Sequence, residues 1–139
     1  MQWLIGLNHI AIAASDPEKA RFFFHKVMGL RDLGSEIVAE QNVEVSMLAL
    51  GGKQSARIEL LEATGPQSTV ASFVAKKGGG IHHLAFLVSD IDATIAHLRA
   101  NGIDTTTPEA TRGAHGTRVV FAHPHATGGV LVEFVEGAL

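Results

Sequence analysis

Two stretches of this chain repeat at one fixed spacing. "NHIAIAASD" at 8–16 resembles "HHLAFLVSD" at 82–90, and "RIELLE" at 57–62 resembles "LVEFVE" at 131–136. His9 corresponds to His83 and Glu59 to Glu133, each pair 74 residues apart. An internal repeat of this kind means that one supersecondary unit is used twice, each copy too small to bury its apolar face alone. The chain of 139 residues therefore reads as one domain of two modules, about 5–62 and 81–136. A linker of about 63–80 joins them.

Each copy predicts the same order of elements. An apolar strand comes first (7–14; 81–88), and such a run suits a strand covered on both faces. "SDPE" then starts a helix, with Ser15 or Asp16 as cap and Pro17 in the first turn, and "SDID" repeats the signal. Gly29 and Gly102 suit the left-handed position beyond a helix end. Ala20, Phe23, Phe24 and Val27 form the expected inward face of the first helix, and Ile91, Ile95 and Leu98 that of the second. Three shorter strands follow in each copy, at about 33–40, 43–50 and 56–62, then 104–107, 118–123 and 129–136. A linker helix is expected from about Ser68 to Lys77. The fold class is α+β, with two tandem βαβββ modules.

Alternation along the strands sorts the polar groups. His9 shares a face with Ala11 and Ala13, opposite Ile10 and Ile12. His83 shares a face with Ala85 and Leu87, opposite His82. Glu59 points the same way as Arg57 and Leu61, and Glu133 the same way as Leu131 and Val135. Small residues in front of the two histidines leave room for a ligand. An unpaired carboxylate among such neighbours is costly or stays protonated. Two imidazoles and two carboxylates related by the repeat suit one divalent ion with open positions. His82 is expected to be a support. His115, His123 and His125 belong in or beside loops, and His25 and His97 on helix surfaces.

Composition narrows the field of functions. With no cysteine and 8 histidines, any metal must bind nitrogen and oxygen, and disulfides and thiol chemistry are excluded. A formal net charge of -3 offers no footprint for nucleic acid. No apolar run reaches membrane-spanning length. "MQWLIGLNHI" lacks a charged leader and a cleavage site, so no signal peptide is expected. These features predict no nucleic-acid partner, no membrane partner, and a cytoplasmic or organelle-matrix location.

The same residues resemble the vicinal oxygen chelate superfamily over nearly the whole chain. "LNHIAIAASDPEKA", "IELLEATGP", "GGGIHHLAFLVSDIDA", "GAHGTRVVFAHP" and "GGVLVEF" most resemble its methylmalonyl-CoA epimerase family. The resemblance implies His9, Glu59, His83 and Glu133 as metal ligands. It also implies a curved, partly open, barrel-like sheet of eight strands, and Glu44 and Glu133 as the two acid–base groups. The repeat offset of 74 carries Glu44 onto Arg118, so Glu44 is expected near the mouth of the site opposite Arg118. It implies one divalent ion per chain, cobalt ahead of manganese, zinc, nickel or iron. The substrate would be an acyl-CoA and the assembly a homodimer. The reaction would be epimerisation by removal and return of an α-proton through a metal-chelated enolate. A glyoxalase I-type lyase and a non-catalytic resistance-type binding protein are the alternatives of the same fold.

Overall fold

A computed structural model describes residues 3–52 and 55–137. The strands are β1 (Leu4–Ala13), β2 (Arg31–Val38), β3 (Val43–Ala49), β4 (Arg57–Ala63), β5 (Gly80–Val88), β6 (Thr111–Arg112), β7 (Arg118–Ala122) and β8 (Val132–Glu136). The helices are α1 (Pro17–Arg21), α2 (Thr69–Lys77), α3 (Ile91–Ala100) and α4 (Pro124–Thr127). The hydrogen-bonded order of the eight strands is β2-β3-β4-β1-β5-β8-β7-β6. Two compact units divide the chain. One is His9–His82, and the other joins the residues up to Asn8 to those from His83 onward. The residues up to Asn8 are thus grouped with the second copy. The division falls at the repeat-related histidines.

In the unit His9–His82, β1 lies parallel to β4, and β3 pairs antiparallel with both β4 and β2. Ile10 and Ile12 share a face with Ile58, Leu60 and Leu48, and pack with Leu30, Ala20 and Phe24. Asp16 caps α1 by accepting from the Lys19 N–H at 3.1 Å, a contact worth about 1 kcal/mol. The helix then widens into a π-helical turn, Phe22–Val27, where Met28 N–H reaches back to the Phe23 carbonyl. The wider turn rotates Phe23 and Val27 outward. Both are exposed, and of the expected inward face Ala20 and Phe24 pack on the core, with Phe23 edge-on to Phe24 at its outer side. Arg21 pairs with Asp32 on β2. The Gly34 N–H, followed by that guanidinium, holds the Asp32 carboxyl below its ordinary value.

The other unit repeats the plan. β5 is parallel to β8, with β7 antiparallel between β8 and β6. The registers are equivalent: Ala11 pairs with Glu59, and Ala85 with Glu133. Helix α3 buries Ile91 and Ile95 against Val88, Val120, Ala122 and Phe134, with Trp3 and Leu98 at the margin. Asp90 caps it through the Ala93 N–H at 3.0 Å, and Glu136 of β8 accepts from the Ile91 N–H at 2.9 Å. The strand expected at 104–107 is reduced to a single bridge, Thr105 to Ala122, and β6 forms later and is two residues long. Thr105 and Thr107 turn their hydroxyls onto the carbonyls of Thr107 and Glu109, a local pattern that competes with strand pairing. Helix α2 runs as expected from its Ser68 cap to Gly78, which adopts φ +78°. No described helix is long and apolar enough to cross a membrane.

Candidate metal and proton-transfer residues

In the unit His9–His82, parallel pairing sets His9 beside Arg57 and Ala11 beside Glu59. All four side chains therefore project from the face away from the helix. His9, Arg57 and Glu59 are buried, and Ala11 and Ala13 are fully covered beside them. Glu59 Oε2 lies 3.2 Å from His9 Nδ1 and accepts from Arg57 Nη2 at 2.8 Å. Sequence alternation placed Arg57 on this face; its ion pair with Glu59 went unread, although the Arg-x-Glu spacing was its signal.

In the unit containing β5 and β8, His83 Nε2 lies 3.0 Å from Glu133 Oε1. Both residues are buried. Their face is lined by Ala85, Val119 and Val135, and Phe121 meets the His83 ring edge to face at 5.3 Å. The Glu133 face thus carries an imidazole beside an apolar wall. Imidazole nitrogen beside carboxylate oxygen is a donor set that first-row divalent ions accept. His9, His83 and Glu133 each offer one such atom.

Glu44 and Arg118 do not share this orientation. On β3, Met47 pairs with Glu59 and Glu44 with Glu62, in an unbroken antiparallel register. Directly opposed residues project to the same side, and Glu44 lies three residues from Met47. Glu44 therefore points to the helix-bearing face, away from Glu59 and His9. Its repeat partner Arg118 behaves alike. It pairs with Glu136 in the register and donates to Asp92 of α3 at 3.0 and 3.2 Å. That hydrogen bond holds the Asp92 carboxyl below its ordinary value and raises Arg118. The expectation of Glu44 at the site mouth facing Arg118 is corrected. The residues of these strands on the histidine-bearing faces are Val45 and Val119.

The remaining histidines have other surroundings. His82 stacks edge-on against Phe73 of α2 at 5.0 Å. His25 Nδ1 meets the Leu30 carbonyl at 2.7 Å. His97 lies against Trp3. His115 occupies a turn at φ +56°. His123 caps α4, and His125 stands 4.0 Å from Asp104.

A sequence model of the glyoxalase/bleomycin resistance protein/dioxygenase superfamily matches residues 8–121, and the chain belongs to that superfamily. Its relatives include methylmalonyl-CoA epimerases. The mitochondrial enzyme of Bos taurus is 40% identical over 137 residues, spanning 96% of this chain and 76% of its own. The crystal structure of methylmalonyl-CoA epimerase from Mycobacterium tuberculosis superposes with a TM-score of 0.93 at 36% identity, covering 100% of this chain and 92% of that one. A Streptomyces coelicolor epimerase variant in complex with 2-nitronate-propionyl-CoA gives a TM-score of 0.92 at 34% identity, covering 98% and 99%.

Proposed function

We propose that this protein is a metal-dependent methylmalonyl-CoA epimerase, an isomerase that inverts the α-carbon of an acyl-CoA. His9, Glu59, His83 and Glu133 would hold one divalent ion. The observation that supports the reading best is a buried imidazole beside a buried glutamate at the same place in both copies, 3.2 and 3.0 Å apart. It occurs in a chain 40% identical to an enzyme of that name.

The substrate carries a carboxylate and a thioester carbonyl on one carbon, and the proton between them is the one exchanged. When bound, the ion supplies Lewis-acid stabilisation of negative charge on those oxygens. The side chains supply the rest. Glu133 is the proton-transfer group of this proposal. Its neighbours Val119, Val135 and Phe121 keep water from it, which favours a carboxylate acting as base in a dry site. Ala11, Ala13 and Ala85 leave space before the imidazoles for a branched acyl group. The proposal extends to cobalt as the ion and to a homodimer, both implied by the family resemblance.

The test is solvent deuterium incorporation at the α-carbon of methylmalonyl-CoA by the purified protein, with its metal content measured. Methylglyoxal with glutathione serves as the rival substrate. Metal-dependent exchange on the acyl-CoA is expected. Turnover of the glutathione adduct alone would replace the proposal by a glyoxalase activity, and turnover of neither would remove the catalytic reading.

A further inference from the structure

A second group of metal-competent side chains lies in the unit that runs from His83 onward. Thr105 forms an antiparallel bridge to Ala122. The Thr106 N–H donates to the Phe121 carbonyl at 2.9 Å, and the His123 N–H to the Asp104 carbonyl at 3.1 Å. Asp104 and His123 are therefore directly opposed. Opposed side chains leave such a ribbon on one side, with Cβ atoms about 5 Å apart. Pro124 follows His123 with a fixed φ, and His125 comes next. Its ring centroid lies 4.2 Å from that of His123, and its Nε2 stands 4.0 Å from Asp104 Oδ2. All three residues are exposed. The fold does not ask for this grouping. The residues 74 positions earlier are Leu30, Ala49 and Gly51, whose side chains cannot ligate. His123 has a small structural task, because its Nδ1 accepts from the His125 N–H. At 3.4 Å that contact is long, so the ring can leave it at little cost. The task accounts for neither the His125 imidazole nor the Asp104 carboxylate.

We propose that Asp104, His123 and His125 form a second divalent-cation site, open to solvent, for a first-row transition ion such as zinc, nickel or copper. Two imidazole nitrogens and one carboxylate oxygen are a donor set that such ions take, whereas magnesium prefers oxygen alone. The bridge and its two backbone hydrogen bonds hold the backbone of Asp104 and His123 together, and the exposed side chains can turn toward a shared ion. The carboxylate balances part of its charge, and the imidazoles select it. A bound ion would tie the segment 104–106 to the turn after β7. The site uses none of His9, Glu59, His83 and Glu133, so it stands whether or not those residues hold an ion.

Calorimetric titration with zinc(II) tests this on the full chain, stripped with EDTA and desalted, as wild type, H125A, D104N and H123N. The substitutions fall at exposed positions, and Asn keeps the capping task of residue 123, so in EDTA all four should melt within about 2 °C of one another. Each variant should lose one zinc-binding event that wild type shows, or take that ion roughly tenfold or more weakly. Magnesium(II) should give no heat that depends on these residues. If His9, Glu59, His83 and Glu133 also hold an ion, wild type takes up two zinc ions and H125A keeps one. If they do not, wild type takes up one and H125A none, which removes the buried site and leaves this one standing. The proposal is overturned if either H125A or D104N matches wild type in both the number and the affinity of its zinc ions. Magnesium(II) binding that is equally sensitive to D104N would overturn it too, because the feature would then be a carboxylate surface and not an imidazole site.

Discussion

Replacing Glu44 by Gln sets the strand register directly against the family pattern. The pattern makes Glu44 an acid–base group, and the variant would then lose nearly all turnover. The register puts it on the helix-bearing face, directly opposite Glu62 on β4 and Ile37 on β2. Two like charges opposed across a strand pair destabilise by a few tenths to about 1 kcal/mol. Glu62 is exposed and Glu44 half-buried, so screening leaves the lower end, roughly 0.3 kcal/mol. E44Q should therefore melt about 1 °C higher than wild type. Its kcat/KM should stay within about threefold, a change in barrier of roughly 0.7 kcal/mol. E133Q, altered on the histidine-bearing face, should lose about 10²- to 10⁴-fold. The assay is deuterium incorporation into methylmalonyl-CoA at saturating cobalt(II), with metal content and melting temperature measured on the same preparations. An E44Q variant that kept its metal and its melting temperature yet lost more than about 100-fold would refute the reasoning from register.

Other predictions concern the scaffold and the ion. Gly79 has φ +100°, and a Cβ there would stand 2.8 Å from the Ala13 carbonyl oxygen and 3.1 Å from the Ser15 nitrogen. Backbone cannot yield as a side-chain tip does, so G79A should cost roughly 3 kcal/mol, seen by calorimetry as a fall of about 8 °C. Asp92 is held below its ordinary value by Arg118. A depressed carboxyl contributes stability above its unfolded value and loses it as pH falls through the folded one. The melting difference between wild type and D92N should therefore be level at neutral pH and vanish as acidity passes below the ordinary aspartate range. Removing the ion with EDTA should abolish deuterium exchange and lower the melting temperature, and added cobalt(II) should restore both.

Much of the site was legible because two periodicities coincide in it. The spacing of 74 tied His9 to His83 and Glu59 to Glu133, and alternation put the histidines on small-residue faces and Glu133 beside Val135; the structure has His9 next to Glu59 and His83 next to Glu133. Glu44 failed for the same physical reason that these succeeded. Side chains alternate with period two, so displacement by a single residue carries a side chain through the sheet. A family resemblance along "QNVEVSML" does not carry that single-residue precision. The π-helical turn at Phe22–Val27 was illegible because a helical pattern in the sequence does not distinguish one backbone hydrogen-bond offset from another. The lost strand near 105 follows from the threonine run, where the hydroxyls of Thr105 and Thr107 bind neighbouring carbonyls as readily as strands pair.

The membership of the chain's first residues has a consequence for how the protein comes into being. Trp3 to Asn8 belong to the unit that otherwise begins at His83, and Ser89 N–H binds the Trp3 carbonyl across 86 positions of sequence. Trp3 also meets Phe134 edge-on. These residues are made about 80 positions before their partners. Their contacts cannot form until the second copy has been made. Contacts of such long sequence separation slow the search for the native state. The unit from His83 onward thus takes in the Leu4–Asn8 part of β1, made well before the rest of that unit, and removing residues 3–8 should harm the second copy more than the first.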